Sequence, residues 1–268
     1  MADLGLCLYD DRGDPDGLPG DRRGASHGGR IHGGEVTAVD VRHHFEEHAE
    51  HYAERVAPFF AITYEYLARW STGLPSPARV LDVACGDGRV AAVLAAQRHQ
   101  VIACDRSAPL LERAAGPRIR LLHADAHALP LRKGCVDAVV CNLGVQFFAR
   151  PVVALREMGR VVVSGGPIVV TVPEKPSVRP QAPHAIVAQL NEAGLRMCDQ
   201  LSLSVSVRVM DVTTLVAVWK VEMSTLRELA EGSESDLVEL AQTLLDQDDG
   251  SITLPLKFSA YHCVAGHS

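Results

Sequence analysis

The chain has 268 residues, 47% of them apolar, and a formal charge of −7. Such a length buries one substantial core without disulfide support. A non-specific nucleic-acid binder needs a basic stripe; here the basic residues are scattered, and only Arg22 to Arg30 is locally basic. No apolar run reaches the ~20 residues that span a membrane, and no signal-like segment precedes the domain, so a cytoplasmic protein is expected. Seven cysteines, at 7, 85, 104, 135, 141, 198 and 263, form no C-x-x-C pair and mostly lie in apolar runs, the pattern of buried free thiols.

Residues 1–36 are rich in Gly, Asp and Arg, lack an apolar period and are expected to be a disordered tail. The remainder, 37–268, reads as one domain. From Val41 to Tyr52 the pattern is helical, with Phe45, Ala49 and Tyr52 on one stripe. A second helix is expected over Phe59 to Trp70, carrying Phe60, Tyr64 and Leu67. His44, His48 and His51 stand at i, i+4 and i+7, a spacing open to a metal with Glu47 nearby. A solvated or pocket-facing polar helix face explains the same spacing, and no metal is expected.

Arg79 to Ala84 reads as a short buried parallel strand interrupted by one carboxylate, Asp82. Cys85 to Gly88 forces a tight turn, because glycine alone takes positive φ without a Cβ against a ligand. Arg89 to Gln97 resumes at helical spacing. Strand, turn and helix form a cradle whose N-terminal N–H groups suit an adenosine-type ligand. The second strand, Arg98 to Cys104, is closed by Asp105, nineteen residues after Gly86, where a nucleoside site places its ribose acceptor. Ser107 is expected to cap a helix over Ala108 to Ala115.

Ile119 to Ala124 is a third strand, ending in Asp125-Ala126-His127, and Val136 to Cys141 a fourth. A helix from Pro151 to Met158 and a fifth strand, Ile168 to Val172, complete a parallel α/β pattern with helices on both faces. Beyond a proline-rich connection, His184 to Ala193 is a helix ended by Gly194. Leu195 to Val209 alternates as an edge strand, Asp211 to Gln247 reads as a helical cap carrying Trp219, and Ile252 to Val264 is the last strand.

Gly86-x-Gly88-x-x-Ala91 with Asp105 also fits a nicotinamide-dinucleotide fingerprint loosely. Against it, Asp87 stands where a pyrophosphate would be repelled, Asp82 and Asp125 add further acids, and no Tyr-x-x-x-Lys pair is present. A carboxylate-rich mouth suits a cationic ligand without phosphate.

These motifs together resemble the class I S-adenosylmethionine-dependent methyltransferases, most nearly the small-molecule branch of ubiquinone and menaquinone biosynthesis. Val80 to Gly88 is similar to the glycine-rich first motif, Asp105 to Leu111 to the acidic-loop motif, and Asp125 to Pro130 to the adenine-side motif. Asp137 to Asn142 resembles the fourth-strand motif, and Ala154 to Val161 with Gly165-Gly166 the helix and turn before strand five. Ser164 departs from the proline usual there. The resemblance implies a Rossmann-like seven-stranded sheet, order 3-2-1-4-5-7-6 with strand seven antiparallel, and S-adenosyl-L-methionine as cofactor. The cofactor site it implies comprises Tyr52, Asp82, Ala84, Gly86, Gly88, Asp105, Arg106, Asp125, Ala126, Asn142 and Gln146. Asp105 would bind both ribose hydroxyls, Asp125 would accept from the adenine amino group, and Ala126 would offer a backbone N–H.

The implied reaction is methyl transfer from a sulfonium to a small apolar or aromatic metabolite, in which alignment is the enzyme's main task. Oxygen, carbon and nitrogen acceptors are all compatible. Where a general base is needed, His51 and His127 are the leading candidates, with His48 and His184 beside them, since imidazole exchanges protons near neutral pH. Gln146 and Phe147 are candidate pocket residues. No nucleic-acid or membrane partner is expected, and homodimerisation is left open. Competing readings are an NAD-linked oxidoreductase, and the same fold with a non-methylating, cyclase-like or scaffold role.

Overall fold

The computed structural model describes residues 49–174, 184–216, 238–239, 241–243, 245 and 250–266. The tail at 1–36, His44, His48, Pro176, Pro180, Pro183 and Trp219 lie outside them. Short turns open the described chain: a helical turn at Ala49–His51, a π turn at Tyr52–Val56 and a 3-10 turn at Ala57–Phe60. They lead into α1, Ala61–Ser71. The predicted single helix through Tyr52 is therefore wound differently from Tyr52 onward. The second helix starts two residues later than its periodicity suggests, since Pro58 is accommodated in the 3-10 turn ahead of it.

The sheet then alternates with helices: β1 Arg79–Val83, α2 Arg89–Ala96, β2 Gln100–Asp105, α3 Ala108–Arg113, β3 Ile119–His123, β4 Ala138–Asn142, α4 Pro151–Val161, β5 Pro167–Pro173, α5 His184–Glu192, β6 Leu195–Val209 and β7 Ile252–Ala265. Its order is β3-β2-β1-β4-β5-β7-β6, parallel through β5, with β7 antiparallel to both neighbours. This is the Rossmann-like architecture that the motifs imply. Strand two begins later than predicted because Arg98 takes φ 68° and His99 is buried, its ring accepting from Ala78 N–H and donating to the Ser71 carbonyl. Ser107 stands at the start of α3 in extended conformation, but its hydroxyl makes no capping bond; the predicted cap is corrected to a backbone contact, Ser107 N–H to Asp105.

Two apolar layers bury the sheet. Leu81, Val139, Val170 and Tyr261 face α4 and α5, while Val80, Ala103, Val140 and Val169 face α1 and α2. β6 has only β7 beside it, which is why its outward residues alternate with polar ones. The β6–β7 hairpin outruns β5. On this overhang Leu203, Val205, Val207, Leu254 and Leu256 pack against Val56, Phe59 and Phe60. Phe60 meets Phe258 edge-to-face at 5.9 Å, and full burial of one such side chain contributes about 1.5–3 kcal/mol. The overhang thus holds the 52–60 turns above the sheet's carboxyl edge. Of the segment read as a cap, residues 212–216 are helical, and Leu215 and Val216 cluster with Val209, Ala241 and Leu245. Among the described residues no helix is long and apolar enough to cross a membrane.

Candidate functional site

A cleft lies across the carboxyl ends of β1 to β4, where parallel sheets bind ligands. It encloses about 810 Å³ of space between atoms, part of it open solvent. Tyr52, Ala84, Gly86, Cys104, Asp105, Arg106, Leu110, Ala124, Asp125, Ala126, His127, Asn142, Leu143, Gly144, Phe147 and Phe148 line it.

The floor is the glycine turn. Gly86 takes φ 55°, and a Cβ there would meet only Tyr52 Cε1, 4.0 Å away, so the space beside it is open to a ligand. Gly88 serves a different end. At φ 82° its missing Cβ would lie 2.4 Å from Ala114 Cβ and 2.5 Å from Ala114 Cα. It lets α2 and the end of α3 touch and is not among the residues lining the cleft. Ala84 and Leu143, opposite each other on the rim, also take positive φ, 56° and 53°, a conformation non-glycine residues adopt where surrounding structure imposes it.

Asp105 is clamped rather than loose: Gly86 N–H donates to its Oδ2 and Ser107 N–H to its Oδ1, each at 2.8 Å. Each oxygen keeps a lone pair for a ligand. Burial pushes its carboxyl above the usual range, against the pull of these N–H groups. Beneath the turn, Asp82 is wholly buried, and neither oxygen meets a hydrogen-bond donor at bonding geometry. Burial first and the Asp105 charge second raise its carboxyl well above the ordinary value, with a weak opposing pull from the Ala91 N–H. An unpartnered buried carboxylate is costly; the raised pKa relieves that cost through the neutral acid, and a cationic group near the turn would relieve it for the charged form.

Asp125 forms the far wall. His127 N–H and His127 Nδ1 both donate to its Oδ1, at 2.9 and 2.5 Å. Burial raises its carboxyl, but the two His127 hydrogen bonds and the Arg106 charge outweigh that and hold it below the ordinary value. Asn142 closes the floor. Its Oδ1 accepts from Thr171 Oγ1 at 2.6 Å, which leaves its amide N–H groups as donors at the cleft.

Above Gly86 sits Tyr52, carried by the π turn, a device common at functional sites. Arg89, which the sequence reading passed over, fixes that turn: Nη2 donates to the Ala53 carbonyl at 2.6 Å while Nε holds Asp87 at 2.8 Å. Asp87 is thus paired and lies behind the cleft, so the repulsion of phosphate assigned to it falls to Asp82 and Asp105. Burial, then Asp87 and Asp105, push the Tyr52 phenol upward, so it stays protonated. Burial likewise raises the thiols of Cys85, Cys104 and Cys141, which makes them packing groups rather than nucleophiles.

Of the predicted cofactor residues, Tyr52, Ala84, Gly86, Asp105, Arg106, Asp125, Ala126 and Asn142 come together on the cleft wall, with Asp82 just beneath. Gln146 does not. It is exposed and donates back to the Leu143 carbonyl at 2.7 Å, while Phe147 and Phe148 take the wall. His51 is exposed and lines no part of the cleft. His127 lines it with both ring nitrogens engaged, Nδ1 by Asp125 and Nε2 by the Arg150 N–H at 3.2 Å. The His184 side chain and all of His48 lie outside the described residues. Leu110, Leu143, Gly144 and Phe148 were missed. Leu143 and Gly144 were findable as the residues directly after a parallel strand, but Leu110 reads as plain helix core. Among the described residues, no group of three His, Cys, Asp or Glu side chains is placed to hold a metal.

These residues fit S-adenosylmethionine. The clamped Asp105 suits a ribose diol, the open side of Gly86 a closely approaching ligand, and the unpartnered Asp82 a cationic group bound directly or through water.

Comparison with known proteins agrees. Residues 81–170 match the family described as Methyltransferase domain. An uncharacterized methyltransferase of Mycobacterium tuberculosis is 41% identical over 104 residues, 37% of this chain and 53% of that protein. A demethylmenaquinone methyltransferase of Clavibacter sepedonicus is 39% identical over 109 residues, 38% of this chain and 44% of that protein. The chain thus spans about half the length of the curated relatives it matches. In fold, the YcgJ protein of Bacillus subtilis superposes with a TM-score of 0.56 at 16% identity, over 77% of this chain and 99% of that one. The sheet order and the matched segment together show a Rossmann-like methyltransferase fold.

Proposed function

We propose that this protein transfers a methyl group from S-adenosylmethionine to a small apolar or aromatic metabolite in the cytoplasm. One observation carries the reading: a backbone-clamped carboxylate, Asp105, and an unpartnered buried one, Asp82, flank an open glycine turn. When bound, the cofactor supplies an electrophilic methyl on a sulfonium.

The chain's own part is placement. Asp105 fixes the ribose end, Asp125 and the Ala126 N–H read the base, and Asp82 offsets the cationic end. Tyr52, held by Arg89 and the β6–β7 overhang, covers the Gly86 side and excludes water from it. Holding the nucleophile and methyl in line is worth up to several kcal/mol, about 7–11 in the best-oriented cases. On the acceptor side the wall is Leu143 and Phe147, which favours an apolar or aromatic ring over a charged chain. The relative named for demethylmenaquinone adds to that choice and to the quinone-biosynthesis branch as the nearest group. An engaged His127 and an outward His51 favour an acceptor that needs little help in losing its proton.

Separate titrations of the purified protein with S-adenosylhomocysteine and NADH test the cofactor. Binding of NADH alone overturns the reading. Asp105→Ala is expected to weaken S-adenosylhomocysteine at least tenfold, roughly one lost charge-assisted contact, with an unchanged melting profile. Incubation with labelled S-adenosylmethionine and a quinone and phenol panel then tests transfer.

A further inference from the structure

The Asp125-Ala126-His127 corner binds more than its own loop. His127 Nδ1 and the His127 backbone N–H both end on Asp125 Oδ1, so Oδ2 is left to face a ligand. The Arg150 N–H donates to Nε2, so the ring carries its proton on Nδ1 and a lone pair on Nε2. Phe148, on the cleft wall, meets the same ring edge-to-face at 5.7 Å. The imidazole is 8% exposed, whereas the Asp125 side chain is 45% exposed. A buried ring therefore spans two loops, one after β3 and one after β4, and adds a second hold on a carboxylate that the backbone N–H of residue 127 also binds.

We infer that His127 is a positioning residue for base recognition: it aims Asp125 Oδ2 at the exocyclic amino group of adenine and sets the width of the slot against Phe148. This rests on the cofactor reading above. Its consequence is specificity for the 6-amino group and not general affinity. A carboxylate accepts from an amino group, but it repels the 6-oxo group that replaces it in the inosine analogue. Without the His127 ring, Asp125 Oδ1 keeps only the backbone N–H of residue 127 and can pivot about that single bond, so the amino group loses a fixed acceptor and the oxo group a fixed repulsion.

The test is calorimetric titration of the wild type, His127→Phe and His127→Asn with S-adenosylhomocysteine and with its 6-oxo counterpart, S-inosylhomocysteine. Wild type is expected to prefer the amino ligand by roughly tenfold or more, the weight of one hydrogen bond to a charged group. His127→Phe keeps a ring against Phe148 and should bring the two ligands toward parity. His127→Asn retains a donor near the Nδ1 position and should keep most of the preference. Should His127→Phe fail to fold, His127→Gln, which retains an acceptor for Arg150 and displaces the donor from Asp125, is expected to show the same loss. An unchanged preference in the variant lacking the donor, or equal weakening of both ligands, overturns the inference and leaves the cofactor reading standing. Wild type that binds neither ligand overturns the cofactor reading and this inference with it. Independently, long-range proton–nitrogen correlation spectra of the ligand-free protein should show the Nδ1–H tautomer at position 127. An Nε2–H tautomer overturns the arrangement.

Discussion

Alanine at Gly86 and alanine at Gly88 add the same methyl two residues apart, and the structure assigns them opposite consequences. At Gly88 the new Cβ would lie 2.4 and 2.5 Å from Ala114 Cβ and Cα, with φ at 82°. One contact is backbone, so relief requires α2 and α3 to separate. Overpacking of this kind costs about 1–3 kcal/mol, and left-handed backbone adds about 1–2 kcal/mol. A loss on the order of 2–5 kcal/mol follows, or roughly 4–20 °C in Tm for a domain of this size. At Gly86 the nearest atom is Tyr52 Cε1 at 4.0 Å, so only the backbone cost applies, about 1–2 kcal/mol. Its methyl instead enters the space kept for the ligand. Urea denaturation of both variants, with S-adenosylhomocysteine titration of the folded forms, separates the two. G88A should lose the larger share of stability and retain much of its affinity per folded molecule, whereas G86A should melt roughly 2–8 °C below wild type and lose affinity at least tenfold. Equal destabilisation of both, or tight binding by G86A, refutes the division of labour.

Three further outcomes follow from the charges. Asp82→Asn removes a buried carboxylate whose folded pKa is raised, so the wild type loses stability relative to the variant as pH rises above about 4, the ordinary carboxylate value. At pH 7 D82N should melt higher than wild type yet bind S-adenosylhomocysteine more weakly; a lower Tm with unchanged binding refutes the role given to Asp82. Asp137 accepts Arg79 Nη2 at 2.6 Å, Nε at 3.2 Å and the Arg79 backbone N–H at 2.8 Å, and the Arg79 guanidinium holds its carboxyl below the ordinary range. That contribution is present above about pH 4 and fades as pH falls through the depressed pKa. D137N should therefore be less stable than wild type at pH 7, and the gap in Tm should close in acid. Arg89→Met cuts the tie to the Ala53 carbonyl and is expected to raise proteolytic cleavage near Tyr52 while leaving β1 to β5 protected from hydrogen exchange.

Much of this site was legible without coordinates because its parts are local. The turn at Cys85 to Gly88, the carboxylates ending strands two and three, and the alternation of short apolar strands with helices each depend on a few neighbouring residues. Parallel strands place their ends side by side, so Asp105, Asp125 and Asn142 come onto one edge once the strand order is right. Gly86 and Gly88, however, look alike in the chain. Only the approach of Ala114, some 26 residues on, makes one a packing glycine and the other a ligand-side glycine.

The histidines mark the same boundary. Spacing along a helix offered His51 to the pocket, but the chain rewinds into a π turn at Tyr52 and leaves His51 outward. His127 qualified by type and position as a base, yet its nitrogens are consumed by Asp125 and by Arg150, 23 residues away. Arg89 reads as an ordinary helix-start residue until Ala53 arrives from 36 residues earlier. Sequence alone determined the sheet, the glycine turn and the acids gathered at the cleft, since short-range geometry and strand register dictate them. Tertiary structure decided which groups remain free to act, because a donor or acceptor is free only when no distant partner has reached it.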